Sequence, residues 1–411
     1  MADKHNTKKK KQWIWPRHRF IFDLFRVVGG PIVRWMYNIK TEPFKEQGDR
    51  PYLILMNHQT PFDQFFVVMS IKGPIYFIAT EDIFSKGWIS SVIRYLVNPI
   101  PIKKQTTDIS AVMNCLRVAK EGGTIALAPE GNRTYSGELC HMNPAILSLA
   151  KRLKMPVVLY RIEGGYGVQP RWSDKRRRGP MRSYVSRVIE PEELAKLSNE
   201  ELMDVIREGL DSKEYEIEER YRSEHRAEYM ERAVYVCPYC GLSKFESHGN
   251  ETECLTCHRK IQYGEDKTLS GVGFEFPFRN MGEWYRYQED FVNHLDVTQL
   301  TKTPVFEDRS SLSEVVVNKR KNILREHAKL SLYGDRIVID EGTENELVLD
   351  FERVTAAAVL GRNKANIYHD GHVYQFKSDA HFNALKYVNF YYRYKNCTTT
   401  TGEHHGEFLG L

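Results

Sequence analysis

The chain has 411 residues, 41% hydrophobic and 27% charged, with a formal net charge of +5. That length exceeds one ordinary core and implies about two or three packed units, and no stretch approaches the roughly 18 uninterrupted apolar residues of a spanning helix. Seven basic side chains against Asp3 give residues 1–19 a local balance of +6, so the rest is near neutral; this disfavours a nucleic-acid groove and leaves a basic arm aimed at an anionic surface.

Behind the arm, Trp13, Trp15, Phe20, Phe22, Leu24, Phe25 and Val27 are mixed with Arg19, Asp23 and Arg26, three charges spaced i, i+4 and i+7 on one helical face. Gly29-Gly30-Pro31 interrupts the pattern and Ile32–Tyr37 resumes it. Residues 1–40 therefore read as a basic arm and two short amphipathic helices lying in a lipid interface, with a core-packing helix as the alternative. The charges break any secretory apolar run, which leaves the bulk on the cytoplasmic face of a membrane as a peripheral protein.

Residues 41–210 alternate short apolar runs with helical stretches. Tyr52–Met56, Ile75–Thr80, Thr124–Ala128 and Val157–Ile162 read as strands of an α/β domain, whose chemistry belongs at strand ends. His58 follows the first run and Glu130 the third. An imidazole can take the proton of a hydroxyl nucleophile, and a nearby carboxylate can hold its other nitrogen; His58 and Asp63 suit those roles. Thr60-Pro61-Phe62-Asp63 also reads as an N-cap, a first-turn proline and a capping-box acid. In the second loop Arg133 offers a planar fork for phosphate, Gly131 lets backbone approach an anion, Glu130 can hold the arginine or substrate, and Thr134 adds a hydroxyl.

Asn57-His58-x4-Asp63 followed by Glu130-Gly131-Asn132-Arg133-Thr134 resembles the glycerolipid acyltransferases that include 1-acyl-glycerol-3-phosphate acyltransferase, over roughly residues 20–210. The resemblance implies that His58 and Asp63 are the catalytic pair, and that Glu130, Gly131 and Arg133 bind the acceptor phosphate. Met155-Pro156-Val157-Val158-Leu159 looks like a further family block. The block between the two motifs departs: Thr80-Glu81, Ser85-Lys86-Gly87 and Lys103-Lys104 stand where the family carries Lys-Glu, Pro-x-x-Gly and a later arginine. Lys175, Arg176, Arg177, Arg178 and Arg182 read as a solvated loop. Glu190–Glu231 reads as a closing helix, with Ser198 and Glu201 as a capping box, and a linker helix over 211–232.

Cys237-x2-Cys240 and Cys254-x2-Cys257, thirteen residues apart, have the spacing of a closed four-thiolate zinc site, and residues 233–264 read as a zinc ribbon with a structural metal. His248 and His258 are spare ligands that the four cysteines make unnecessary. Cys115, Cys140 and Cys397 read as free thiols. Residues 265–311 form an aromatic connector. Over 312–397, six short strands from Lys329 to Phe376 precede a helix over Ala380–Tyr394, a pattern resembling a pleckstrin-homology-like barrel with its helix; 398–411 is a tail.

Together these features imply a peripheral membrane acyltransferase with a structural zinc. It moves a fatty acyl group from a thioester of coenzyme A or acyl carrier protein to a lysophospholipid hydroxyl, foremost 1-acylglycerol 3-phosphate, giving phosphatidate. The alternatives are a different lysolipid or amine acceptor, and an inactive acyltransferase-like membrane scaffold.

Overall fold

The computed structural model describes residues 12–80, 84, 88–102, 109–316 and 320–398. Most of the basic arm, the departing stretches at 81–87 and 103–104, and the tail beyond Thr398 lie outside the described residues, apart from Phe84. The first half runs α1 (Pro16–Tyr37), β1 (Ile39–Thr41), β2 (Leu53–Met56), α2 (Asp63–Ser70), β3 (Ile75–Thr80), α3 (Trp88–Val97), β4 (Ile100–Ile102), α4 (Ile109–Lys120), β5 (Thr124–Leu127), α5 (Ala145–Leu153), β6 (Val157–Glu163), α6 (Gly165–Val168), β7 (Met181–Ile189), α7 (Pro191–Leu194) and α8 (Asn199–Leu210). Seven strands form one sheet in the order β1-β7-β6-β2-β5-β3-β4. Its pairs are parallel except β6 with β7. β2, Leu-Ile-Leu-Met, is buried at every position between β5 and β6, as a strand covered on both faces requires. The α8 capping box is present: Ser198 Oγ accepts from the Glu201 amide at 3.1 Å and Glu201 accepts from the Ser198 amide at 2.8 Å.

The N-terminal segment departs from the expectation of two helices. α1 is continuous through Gly29-Gly30-Pro31, although Pro31 cannot donate to the carbonyl one turn back. Packing on α2 offsets that loss. Gly30 is buried, and a Cβ there would stand 3.4 Å from Met69 Sδ. Arg26, expected on an outward charged face, instead reaches inward to the carbonyls of Val68 (2.7 Å), Ile71 (2.6 Å) and Gly73 (3.1 Å), a cation placed at the C-terminal end of α2.

The second half carries β8 (Val236–Cys237), β9 (Gly241–Leu242), β10 (Phe245–His248), β11 (Glu251–Cys254), β12 (Lys260–Tyr263) and β13 (Leu269–Gly271), then α9 (Met281–His294). Next come β14 (Phe306–Val316), β15 (Arg320–Leu332), β16 (Arg336–Ile339), β17 (Leu347–Asp350), β18 (Val354–Leu360), β19 (Lys364–His369), β20 (His372–Lys377) and α10 (Leu385–Thr398). β10 to β13 form an antiparallel sheet in sequence order, and β14 to β20 a second one in the order β17-β16-β15-β14-β20-β19-β18. The long β14, within the expected connector and barrel start, hides its strand character behind Glu307, Asp308, Arg309 and Ser310–Ser311. α10 starts five residues later than expected because Asn383 Oδ1 caps it, accepting from the amides of Leu385 (2.9 Å) and Lys386 (3.1 Å).

The expected linker helix is absent: residues 211–229 form an irregular strap, closed by a short 3-10 turn at Met230–Arg232. Tyr221 pins the strap. Its amide donates to the Glu265 carbonyl at 2.7 Å, and its ring fills a slot where a Cβ on Gly167 or Gly179 would come within 2.4 Å. The expected solvated basic loop is also partly interior. Arg177 is buried over the rings of Trp172 and Tyr263, at 5.0 and 4.6 Å, because the strap and β12 cover it. Tyr135, Tyr166 and Trp172 from the first half share one apolar core with the second sheet and α10, so the halves are packed into each other.

Candidate active site

His58 lies in the loop after β2, and Asp63 is the first residue of α2. His58 Nδ1 is 2.7 Å from Asp63 Oδ2. The buried carboxylate also accepts from the Gln59 amide (2.7 Å), the Thr60 amide (2.9 Å) and the Thr60 hydroxyl (2.7 Å), while Thr60 Oγ1 accepts from the Phe62 amide at 3.1 Å. Asp63 holds the imidazole, but the expected capping box is not formed: α2 begins at Asp63 with Phe62 as its N-cap, and the Thr60 hydroxyl accepts from the Phe62 amide while Asp63 ties the turn before the helix together. An ionised carboxylate only accepts, so Nδ1 carries the proton and Nε2 keeps its lone pair on the side of the ring facing away from Asp63. The His58 side chain is 27% exposed, whereas that of Asp63 is fully buried.

The second motif follows β5 and is bonded directly to the first. Glu130 Oε1 accepts from the His58 amide at 2.8 Å, its Oε2 accepts from the Cys140 amide at 2.9 Å, and the Thr134 amide donates to the His58 carbonyl at 3.4 Å. Both Glu130 oxygens are thus spent on backbone, where the sequence reading had them on Arg133 or substrate. Burial pushes this carboxyl up to about 7. Thr134 likewise turns inward, its hydroxyl accepting from the Gly137 amide at 2.9 Å. Gly131 has φ +68° and open space where a Cβ would stand, so it serves the turn by conformation.

Arg133 is half-buried, and its Nη1 is fully inside with no hydrogen-bond partner among the described residues. Burial, then the like charges of Arg171 and Arg362, lower its pKa to about 10. It backs onto a cavity of about 170 Å³ also lined by Tyr135, Cys140, Arg171, Tyr285 and Glu289. A buried, incompletely paired guanidinium beside a paired imidazole is suited to hold an anion while a neighbouring hydroxyl is deprotonated.

Sequence reasoning missed three supports. Asn57 imitates a strand neighbour, exchanging bonds of 2.8 Å with both the amide and the carbonyl of Ile162. Arg171 donates to the Arg133 carbonyl at 3.1 Å. Tyr37, on α1, lies 5.2 Å from the Phe62 ring and bonds Gln169 at 2.9 Å. Only Asn57 had a signal, as the residue preceding His58.

With this geometry in view, residues 36–162 match the family model described as Acyltransferase. This segment is acyltransferase-like. The acyltransferase-like segment holds both motifs, and curated relatives match part of the chain. A chloroplastic 1-acyl-sn-glycerol-3-phosphate acyltransferase of Brassica napus is 24% identical over 131 residues, covering 31% of this chain and 37% of that protein. One of Arabidopsis thaliana is 23% identical over 164 residues (38% and 44%), and the 1-acyl-sn-glycerol-3-phosphate acyltransferase of Bacillus subtilis is 20% identical over 186 (45% and 88%). The chain spans less than half the length of the two plant relatives. A crystal structure of the 1-acyl-sn-glycerophosphate acyltransferase of Thermotoga maritima aligns with a TM-score of 0.41 at 21% identity, over 47% of this chain and 79% of that one.

A second cluster is separate from this site. The sulfur atoms of Cys237, Cys240, Cys254 and Cys257 lie within 4.8 Å of one another; Cys237 to Cys257 is 3.7 Å and Cys240 to Cys254 is 3.5 Å. Tetrahedral zinc with bonds of about 2.3 Å needs sulfurs about 3.8 Å apart, so the four residues fit that ion.

Proposed function

We propose that this protein transfers a fatty acyl group from an acyl thioester to the free hydroxyl of a lysophospholipid, foremost 1-acylglycerol 3-phosphate, at a membrane surface. The single observation that supports this reading is the bonded pair of loops, one carrying the His58–Asp63 couple and the other the underpaired guanidinium of Arg133. In the reaction, Nε2 of His58 takes the hydroxyl proton as the acceptor oxygen attacks the thioester carbonyl. Asp63 stabilises the imidazolium that forms, and that ring returns the proton to the departing thiolate as the carbon–sulfur bond breaks. Arg133 holds the phosphate, and Glu130 positions the His58 backbone. The thioester is carried by coenzyme A or by acyl carrier protein.

An acceptor panel tests this reading. Arg133→Ala is expected to raise KM for 1-acylglycerol 3-phosphate about 10- to 100-fold, the worth of a charge-assisted bond, and to leave KM for monoacylglycerol unchanged. Equal effects on both acceptors would reject the phosphate assignment.

The membrane reading rests on apolar surface. α1 exposes Phe20, Val27 (74%), Ile32 and Trp35 (85%), and α3, packed beside it, exposes Trp88 (76%) and Tyr95. No helix among the described residues is long and apolar enough to cross a membrane. Indoles and aliphatic chains on paired helices, with Arg17 lying over Trp15 and Tyr95, are suited to an interface. Trp35→Glu is expected to weaken binding to anionic phosphatidylglycerol vesicles about 10-fold or more in a sedimentation assay. Wild-type binding by this variant would discard α1 as the contact. The four cysteines are proposed to hold a structural zinc, with no coordination position left for chemistry.

A further inference from the structure

The turn between β18 and β19 belongs to the second half of the chain, yet it is stitched to the loop that carries Arg133. Arg171 makes the seam: its Nη1 donates to the Arg133 carbonyl and its Nη2 to Asn132 Oδ1, at 3.1 and 3.2 Å, while Nε donates to the Gly361 carbonyl and Nη2 to that of Val359, both at 3.1 Å. The Tyr135 hydroxyl adds a bond of 3.2 Å to the Arg362 carbonyl. One guanidinium therefore spans the backbones of Arg133 and Gly361, and ties the loop that carries Arg133 to the turn that carries Arg362.

Arg362 is half-buried. Its Nη1 pairs with Asp174, but that carboxylate is shared with Arg232 at 2.7 Å, and Arg362 Nε is buried with no hydrogen-bond partner among the described residues. Arg176 adds a further cation over the Tyr37 ring at 5.5 Å. Among the acids nearby, Asp63 is committed to His58, Glu130 to backbone amides and Glu138 to Arg286, which leaves the shared Asp174 and Glu289 facing the guanidinium groups of Arg133, Arg171, Arg176 and Arg362. Gathering like charges in a partly dry site costs Coulomb energy that an arriving anion offsets.

We propose that Arg362, delivered by the β18–β19 turn, is a second guanidinium of the acceptor-phosphate site, so that the C-terminal sheet forms one wall of the substrate site. The inference rests on the phosphate-acceptor reading above and extends it to a residue outside the acyltransferase-like segment. Arg133 comes to the phosphate on the loop after β5 and Arg362 on the β18–β19 turn. Head groups that fit between two forks gain affinity over those that meet one.

The test uses the full chain and steady-state acyl transfer. Arg362→Ala is expected to raise KM for 1-acylglycerol 3-phosphate about 10-fold or more, with KM for monoacylglycerol unchanged. Arg133→Ala, assayed alongside, separates two failures. If it shows the phosphate-selective loss and Arg362→Ala does not, only the present inference is overturned; if neither does, the acceptor reading itself falls. Asp174→Asn tests a purely structural role for Arg362, since it removes the ion pair and keeps the guanidinium; because it also unpairs the buried Arg232, thermal midpoints are recorded and KM is compared between equally folded proteins. This variant is expected to lower KM for the phosphate acceptor by releasing Arg362, whereas a rise matching that of Arg362→Ala would overturn the proposal.

Discussion

Replacing His58 with alanine is expected to reduce kcat for acyl transfer about 10²- to 10⁴-fold, the usual contribution of a positioned general base. KM for 1-acylglycerol 3-phosphate should change little, because Arg133 remains to hold the phosphate, so the loss should fall on the chemical step. The fold should survive. The His58 side chain is 27% exposed, and Asp63 keeps the Gln59 amide and both Thr60 donors when the imidazole is gone. Changing Asp63 is a less clean experiment for the same reason: an asparagine amide would turn donors toward those backbone N–H groups and unsettle the start of α2. The decisive measurement is product formed from a labelled acyl thioester by purified wild type and His58→Ala, with thermal midpoints recorded on the same samples. Equal turnover by two equally folded proteins would remove His58 from the mechanism.

What could be read in advance follows a physical pattern. β2, β5 and β6 announced themselves because strands buried on both faces are unbroken apolar runs, and His58 and Glu130 then fell at strand ends where parallel sheets build sites. The His58–Asp63 couple was legible because it is local, five residues closed by a helix start. The partners of Glu130 were not, since they are backbone amides whose positions depend on how two loops meet. The same limit explains α1. The Gly29-Gly30-Pro31 stretch looks like a break, and only contact with α2 shows why it is helical. Arg177 reads as a solvated charge in sequence and Arg362 carries no signal there, and each acquires its environment from segments more than 40 residues away, such as β12 over Arg177 and the 170–174 loop beside Arg362.

Removing the metal ligands should have the second large effect, on stability first and on turnover through it. Purified protein is expected to carry one zinc per chain by elemental analysis, and Cys254→Ser to lose it, since Cys254 is fully buried with its sulfur 3.5 Å from that of Cys240. Structural zinc contributes on the order of 10–16 kcal/mol to small domains, as much as the whole stability of a typical domain, so the sheet of β10–β13 should not persist without it. The damage should spread along α9. Gln288 accepts from the Tyr235 amide at 2.7 Å and Trp284 donates to the Val236 carbonyl at 2.9 Å, so α9 is seated on the strand that leads into Cys237. An adjacent face of α9 stacks Tyr285 on Tyr135, ring centroids 6.5 Å apart, two residues along the chain from Arg133. Loss of zinc should therefore expose residues 233–271 to limited proteolysis and raise KM for the phosphate acceptor, while the sheet of β1–β7 keeps its own core. A protein without zinc that resists the protease and keeps its wild-type KM would show that the four thiols stabilise nothing, and would sever the link from the cysteine cluster to the active site.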